Sequence, residues 1–224
     1  MTAAPVPATL VERLRTSTRD WHDALEATPF ASAMIAGTLP VERYVGQLAA
    51  YRVVLTALEG ELSRVTDPSA DPVWSADLGK LPFIEHDLAY FANLGTAPGP
   101  WAAEEAEAFA AEIRLRAQES DLTALMGYLY VMEGSTLGAL FLHPYVTAAY
   151  SLPGTEGVAY YTSGDRARWA RLTARMNQAL PDPEVQEQVV EAARVAYRHT
   201  AAITGALSVG LSPPSPSPAP TPAR

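Results

Sequence analysis

The 224-residue chain has no cysteine and only four histidines. The missing thiols exclude a disulfide framework, a thiolate zinc site and a cysteine nucleophile, so any metal must be held by histidine, carboxylates or a prosthetic group. Cationic surplus is missing too. Lys and Arg number 16 against 25 Asp and Glu, the net charge is −9, and no basic block is visible. Such a field attracts neither nucleic acid nor an anionic membrane. No uninterrupted run of about 18 apolar letters, the length that spans a bilayer, stands out. The opening "MTAAPVPATLVERLRTS" has no apolar stretch of signal-peptide length. Together these lacks predict a cytoplasmic protein with no nucleic-acid or membrane partner. Strand patterning is likewise wanting, and "GVAYYTS" at 157–163 is too short to count. No repeat, GxSxG, phosphate-binding glycine loop or HExxH spacing occurs.

Helical periodicity is abundant. Leu10, Leu14, Thr18, Trp21 and Leu25 step by fours and threes, and Tyr44, Leu48, Tyr51, Leu55, Leu58 and Leu62 do so over about five turns. Shorter stripes run through Leu88 and Phe91, and through Ala106, Phe109 and Ile113. Trp169 to Leu180 and Val185 to Ile203 carry two more. Turn signals such as Thr28-Pro29, Pro98-Gly99-Pro100 and Pro181-Asp182-Pro183 separate them, with Asp121 and Asp182 placed as N-caps. Six prolines crowd the last thirteen residues, which forbids helix and leaves little to bury. The expectation is an all-α, single-domain bundle of about eight helices over residues 8–208, followed by a disordered Pro-rich tail at 209–224.

The stretch "GYLYVMEGSTLGALFL", 127–142, is the most apolar helix, yet Gly134 and Gly138 lie on one face of it. Each glycine costs about 1 kcal/mol relative to alanine in a helix interior. They serve either close packing of a neighbouring helix or the approach of something flat and large to bare backbone. Among the histidines, His22 borders the apolar stripe of the first helix with Glu26 one turn on. His86 reads as a surface or interhelix residue, His143 as helix-terminal, and His199 has no evident partner. The acidic pairs Glu59/Glu61, Glu104/Glu105 and Glu184/Glu187 read as solvated faces. A histidine on one helix facing a glycine-bearing helix suits a haem clamp, with one helix ligating iron and the other covering the opposite face.

On these residues the chain resembles the haem oxygenases, in their bacterial, biliverdin-producing branch. "LRTSTRDWHDALE" (14–26) is similar to the family's proximal helix and "YLYVMEGSTLGALFL" (128–142) to its distal helix. "QLAAYRVVLTALEGEL", "IEHDLAYF" and "GVAYYTSGDRARWARLTARMNQAL" follow in register. The resemblance covers nearly everything from Leu10 to Leu207. It implies haem as both substrate and cofactor, opened by O2 and electrons from an external reductase, of ferredoxin or flavoprotein type, to biliverdin, ferrous iron and CO. It further implies His22 as iron ligand with Glu26 as its outer partner, and Gly134, Ser135 and Gly138 as the catalytic distal face. Arg15, Arg168 and Arg171 would supply cations for the haem propionates, and a bilin acceptor such as a phytochrome is a possible partner. The chain departs from mammalian-type members at Ser135, which replaces an aspartate, and at Trp169 and Thr173, where some members carry Lys and Arg. Alternatives are a non-catalytic haem-binding or storage protein of the same fold, or a helical enzyme acting on thiamine-like fragments. The latter would lack its cysteine nucleophile here.

Overall fold

A computed structural model describes residues 8–65 and 73–212, and within them every periodic segment is a helix. The elements are α1 (Leu10–Glu26), α2 (Pro29–Ile35), α3 (Val41–Leu62), α4 (Leu81–Asn93), α5 (Ala103–Gln118), α6 (Leu122–Tyr150), α7 (Ala159–Thr162), α8 (Arg166–Ala179) and α9 (Pro183–Ser208). A 3-10 turn at Ala76–Leu78 precedes α4, and no strand occurs among the described residues. The all-α expectation holds, with nine helices among the described residues rather than about eight. The Pro-rich stretch from Pro213 onward lies outside the described residues.

Two short helices escape the periodicity because neither is long enough to show a stripe. Helix α2 starts where Thr28 Oγ1 accepts the Ala31 N–H, and Pro29 occupies a first-turn position whose N–H would be unpaired anyway. Helix α7 is a single turn held from outside. The Asp87 carboxylate, from α4, accepts the N–H groups of Ala159 at 2.7 Å and Tyr160 at 2.8 Å. Burial pushes that carboxyl up to about 6, against the pull of those two donors. Tyr44 adds a second tie, donating to the Gly157 carbonyl while its ring meets those of Phe91 and Tyr161.

Helix α6 is the axis of the molecule. Its 29 residues span about 43 Å, capped by Asp121 Oδ1 on the Ala124 N–H at 3.0 Å. It runs unbroken through Gly134, Gly138 and Pro144, so His143 is not helix-terminal. Its Nε2 is buried with no hydrogen-bond partner among the described residues. Among the described residues α6 is also the one helix long and apolar enough to cross a membrane, which the search for an uninterrupted run missed. However, 61% of its apolar window is buried inside the protein, as befits a core helix.

Where a neighbouring helix does press on an α6 glycine, it is Gly127. A Cβ there would lie 2.6 Å from the Ala192 Cβ and 2.7 Å from the Val189 carbonyl oxygen, both on α9. Helix α9 also carries α1. The Arg13 guanidinium of α1 donates to the Pro183 carbonyl at 3.2 Å and to Gln186 at 3.1 Å. Helix α8 touches both α1 and α6. Asn177 accepts the Val11 N–H at 3.0 Å, and the Trp169 ring meets that of Tyr130 at 5.1 Å.

Candidate functional site

Helix α1 begins with a reciprocal cap between Thr9 and Glu12 and buries Leu10, Leu14 and Thr18. That registry turns His22 outward, with 54% of its side chain exposed. Nδ1 lies 3.6 Å from Glu26 Oε1 and 3.9 Å from Asp23 Oδ1. One ring nitrogen thus faces carboxylates and Nε2 is left for a ligand. Arg15 lies two turns before His22 on the same face of α1. Burial pushes the Tyr130 phenol up to about 12, and the Arg15 charge works against that rise.

On α6 the side chains up to Glu133 are buried all round, and from Gly134 onward one face opens. Gly134, Gly138, Phe141 and Tyr145 recur at steps of four, three and four, a single stripe. Phe141 is 63% exposed and its ring meets that of Tyr145 at 5.6 Å. Gly138 is exposed, and a Cβ there would meet nothing within 4 Å. The helix-packing account of this glycine therefore fails, because no helix among the described residues lies against it. Gly134 differs, since a Cβ there would lie 3.3 Å from the Trp169 ring. Ser135, beside the stripe, donates to the Met132 carbonyl at 2.7 Å.

An open histidine on α1 and a bare, apolar face on α6, both helices packed on α9, suit a flat, hydrophobic, metal-bearing ligand. A family model described as Heme oxygenase matches residues 8–204. The chain belongs to the haem oxygenase family. Heme oxygenase 2 of Oryctolagus cuniculus is 27% identical over 216 residues, covering 93% of this chain and 69% of that protein. Heme oxygenase 1 of Gallus gallus is 25% identical over 196 residues, 84% of this chain and 66% of that one. The chain thus spans about two-thirds of the length of these curated relatives. Two structures from the cyanobacterium Synechocystis sp. PCC 6803 share the fold. Heme oxygenase-1 in complex with heme has a TM-score of 0.79 at 20% identity, with 91% of this chain and 94% of that one covered. Heme oxygenase-2 with heme and NO has a TM-score of 0.78 at 22% identity, with coverages of 89% and 85%.

The haem oxygenase frame makes the basic residues informative. Arg168 is turned inward. Its Nε donates to Glu133 Oε1 at 2.9 Å, and its terminal nitrogen donates to the Ser163 carbonyl, which leaves the side chain 13% exposed. Glu133 and the Ser163 carbonyl thus already engage its donors, and Glu133 is shared with Lys80. Arg171 stays outward, half exposed, 3.7 Å from Asp77. Thr173 bonds back to its own helix, and no cation stands at Trp169 or Thr173.

Sequence inspection missed Glu133 and Lys80. Glu133 is 2% exposed, and its second oxygen lies 2.6 Å from Lys80 Nζ, itself 2% exposed. Desolvation lowers the lysine's pKa while Glu133 raises it. Glu59 joins them, accepting the Lys80 N–H at 2.7 Å, so it is no solvated-face residue. Burial raises its carboxyl. A lone Glu inside an all-apolar helical run was the available signal. Because Glu133 immediately precedes Gly134, its two ion pairs, to the start of α4 and to α8, fix how α6 is rotated. Glu133→Ala is expected to destabilise the protein by about 3–5 kcal/mol, since it strands two buried cations. Urea denaturation measures this, and a loss below 1 kcal/mol would contradict the triad's role.

Proposed function

We propose that this haem oxygenase opens haem to biliverdin, releasing ferrous iron and CO, with O2 as oxidant and electrons from an external reductase. The observation that carries the proposal is Gly138, an α6 position with open space where a side chain would be, in a chain whose α1 offers a free histidine nitrogen. The residues fit haem: a nitrogen donor, a flat apolar face at Gly138 and Phe141, and cations at Arg15 and Arg171.

Bound haem supplies both the iron that activates O2 and the ring that is oxidised. The chain's part is placement. His22 Nε2 would hold the iron, and Glu26, within reach of Nδ1, keeps the imidazole oriented. An imidazole would hold the iron without the thiolate character that favours O–O cleavage. Gly138 would let backbone approach the ring and leave room at its edge, while Gly134, one turn earlier, takes the Trp169 ring against its backbone. Ser135 supplies a hydroxyl at that face in place of a carboxylate, so protons come from solvent through hydroxyls and not from a strong acid. Arg15 and Arg171 pair the propionates and set the ring's rotation. The electron donor is a ferredoxin or flavoprotein reductase, and the product passes to a bilin acceptor such as a phytochrome. The setting is cytoplasmic, with no nucleic-acid or membrane partner. Catalytic residues are thus Gly134, Ser135 and Gly138.

Incubation with haem and a reductant under air tests the proposal. Conversion to a green bilin with CO release is the expected result. A stable haem spectrum over many equivalents of reductant would overturn it in favour of a haem-storage protein of the same fold.

A further inference from the structure

The two glycines of the α6 stripe are not equivalent. A Cβ at Gly134 would lie 3.3 Å from Cη2 and 3.5 Å from Cζ3 of Trp169, the outer edge of the indole. One at Gly138, a turn later, would meet nothing within 4 Å. The same indole meets the Tyr130 ring, a turn before Gly134, at 5.1 Å. Trp169 therefore covers the Tyr130–Gly134 half of the stripe, and the bare half begins about 6 Å further along the helix. The indole is partly buried against the core, and its surroundings are tied down. Arg168, the residue before it, donates to Glu133 Oε1 at 2.9 Å and to the Ser163 carbonyl. Gly164, at the approach to α8, is pressed so closely on α6 that a Cβ there would run into the Thr136 carbonyl oxygen. Two turns after Trp169, Asn177 accepts the Val11 N–H of α1 at 3.0 Å. The indole cannot swing off Gly134 without disturbing an ion pair of the buried Glu133.

We propose that Trp169 is a specificity-determining residue for ring opening: its indole edge, seated on Gly134, is the wall that stops the porphyrin rim from sliding along α6 toward Tyr130. The four meso edges of a porphyrin are close to one another in shape, so neighbouring seatings differ little in energy unless something rigid separates them. An indole carries no charge and does this by shape alone. A ring held against the stop presents one meso edge to the space at Gly138, and a ring without the stop presents more than one. The inference rests on the haem-degrading proposal above.

The test compares the wild type with Trp169→Ala and Trp169→Phe. A phenyl ring keeps an aromatic face toward Tyr130 but lacks the outer atoms that reach Gly134, so it removes the wall and spares most of the packing. Three quantities are read. The proton resonances of the haem methyl groups in the ferric cyanide complex count the seatings, chromatography separates the bilin isomers, and thermal unfolding of the haem-free protein reports stability. The wild type is expected to show one dominant seating and one dominant isomer. In both variants the minor seating should grow about tenfold, the size of one lost aromatic contact, and the isomer mixture should follow it. The melting temperature should fall further in Trp169→Ala than in Trp169→Phe, because alanine leaves the larger cavity. Variants that melt lower yet keep the wild-type seating and isomer would mark the indole as structural and overturn the proposal. Mixed seatings in the wild type would overturn it too, since no stop would then be acting. Should Trp169→Ala not fold, Trp169→Phe decides alone. If the wild type binds haem yet forms no bilin, the haem-degrading proposal fails, while the methyl resonances still decide whether Trp169 is the wall. A wild type that binds no haem overturns both.

Discussion

Gly138→Leu is expected to cripple ring opening while raising the melting temperature. The two effects have separate causes. Leucine in place of an exposed mid-helix glycine gains roughly 0.7–1 kcal/mol of helix propensity, and no neighbour stands within 4 Å of the new Cβ to oppose it. For a domain of this size that is worth about 2–4 °C. The same side chain fills the gap in which the oxidant must lie, and a misplacement of about 1 Å costs on the order of a hundredfold in rate. Iron ligation should persist because His22 is untouched. Gly127→Ala is the control with opposite signs. There the added methyl meets α9 backbone at 2.7 Å, so stability should fall by about 1–3 kcal/mol with normal turnover per bound haem. The measurements are bilin formed per bound haem and thermal unfolding of both variants. Normal turnover in Gly138→Leu would remove this glycine from the haem site.

His22→Ala is expected to abolish turnover, by about a hundredfold or more, with the fold intact. The imidazole is half exposed and its nearest carboxylate oxygen is at 3.6 Å, so little is lost when it goes. The stability change should stay within about 0.5 kcal/mol, the range of ordinary surface substitutions. Helix α1 keeps its buried Leu10, Leu14 and Thr18 and the ties of Arg13 to α9. Added imidazole should enter the vacated space and restore part of the ferric spectrum. An unchanged spectrum and activity would show that another group holds the iron. Glu26→Gln, which keeps shape but removes charge, should lower activity less than His22→Ala, because Glu26 acts through the histidine.

His22 and Glu26 were legible because one helical turn separates them, and the pair needs only local periodicity to be seen. Gly134 and Gly138 were legible for the same reason, as a break in an apolar run. What could not be read was which glycine a helix presses on. Gly127 and Gly138 look alike as letters, and only the path of α9 separates a packed position from an open one. Arg168 shows the same limit. Its spacing suits an outward cation, but Glu133 lies 35 positions earlier in the chain and turns it inward.

The repeat of apolar residues, the caps at Asp121 and Asp182 and the absence of strand patterning determined the all-α class and most helix positions, because these follow from interactions within a few residues. The proximal and distal motifs, in their order and separation, pointed to the haem oxygenase family, and the match over residues 8–204 bears that out. Tertiary structure alone decided the rest. The single turn of α7 exists because Asp87, more than 70 positions away, accepts its N–H groups. Lys80, just before α4, and Arg168 of α8 meet on Glu133. Each is a contact between distant parts of the chain. Burial and charge balance select such contacts after the helices have assembled, and no local pattern of residues records them.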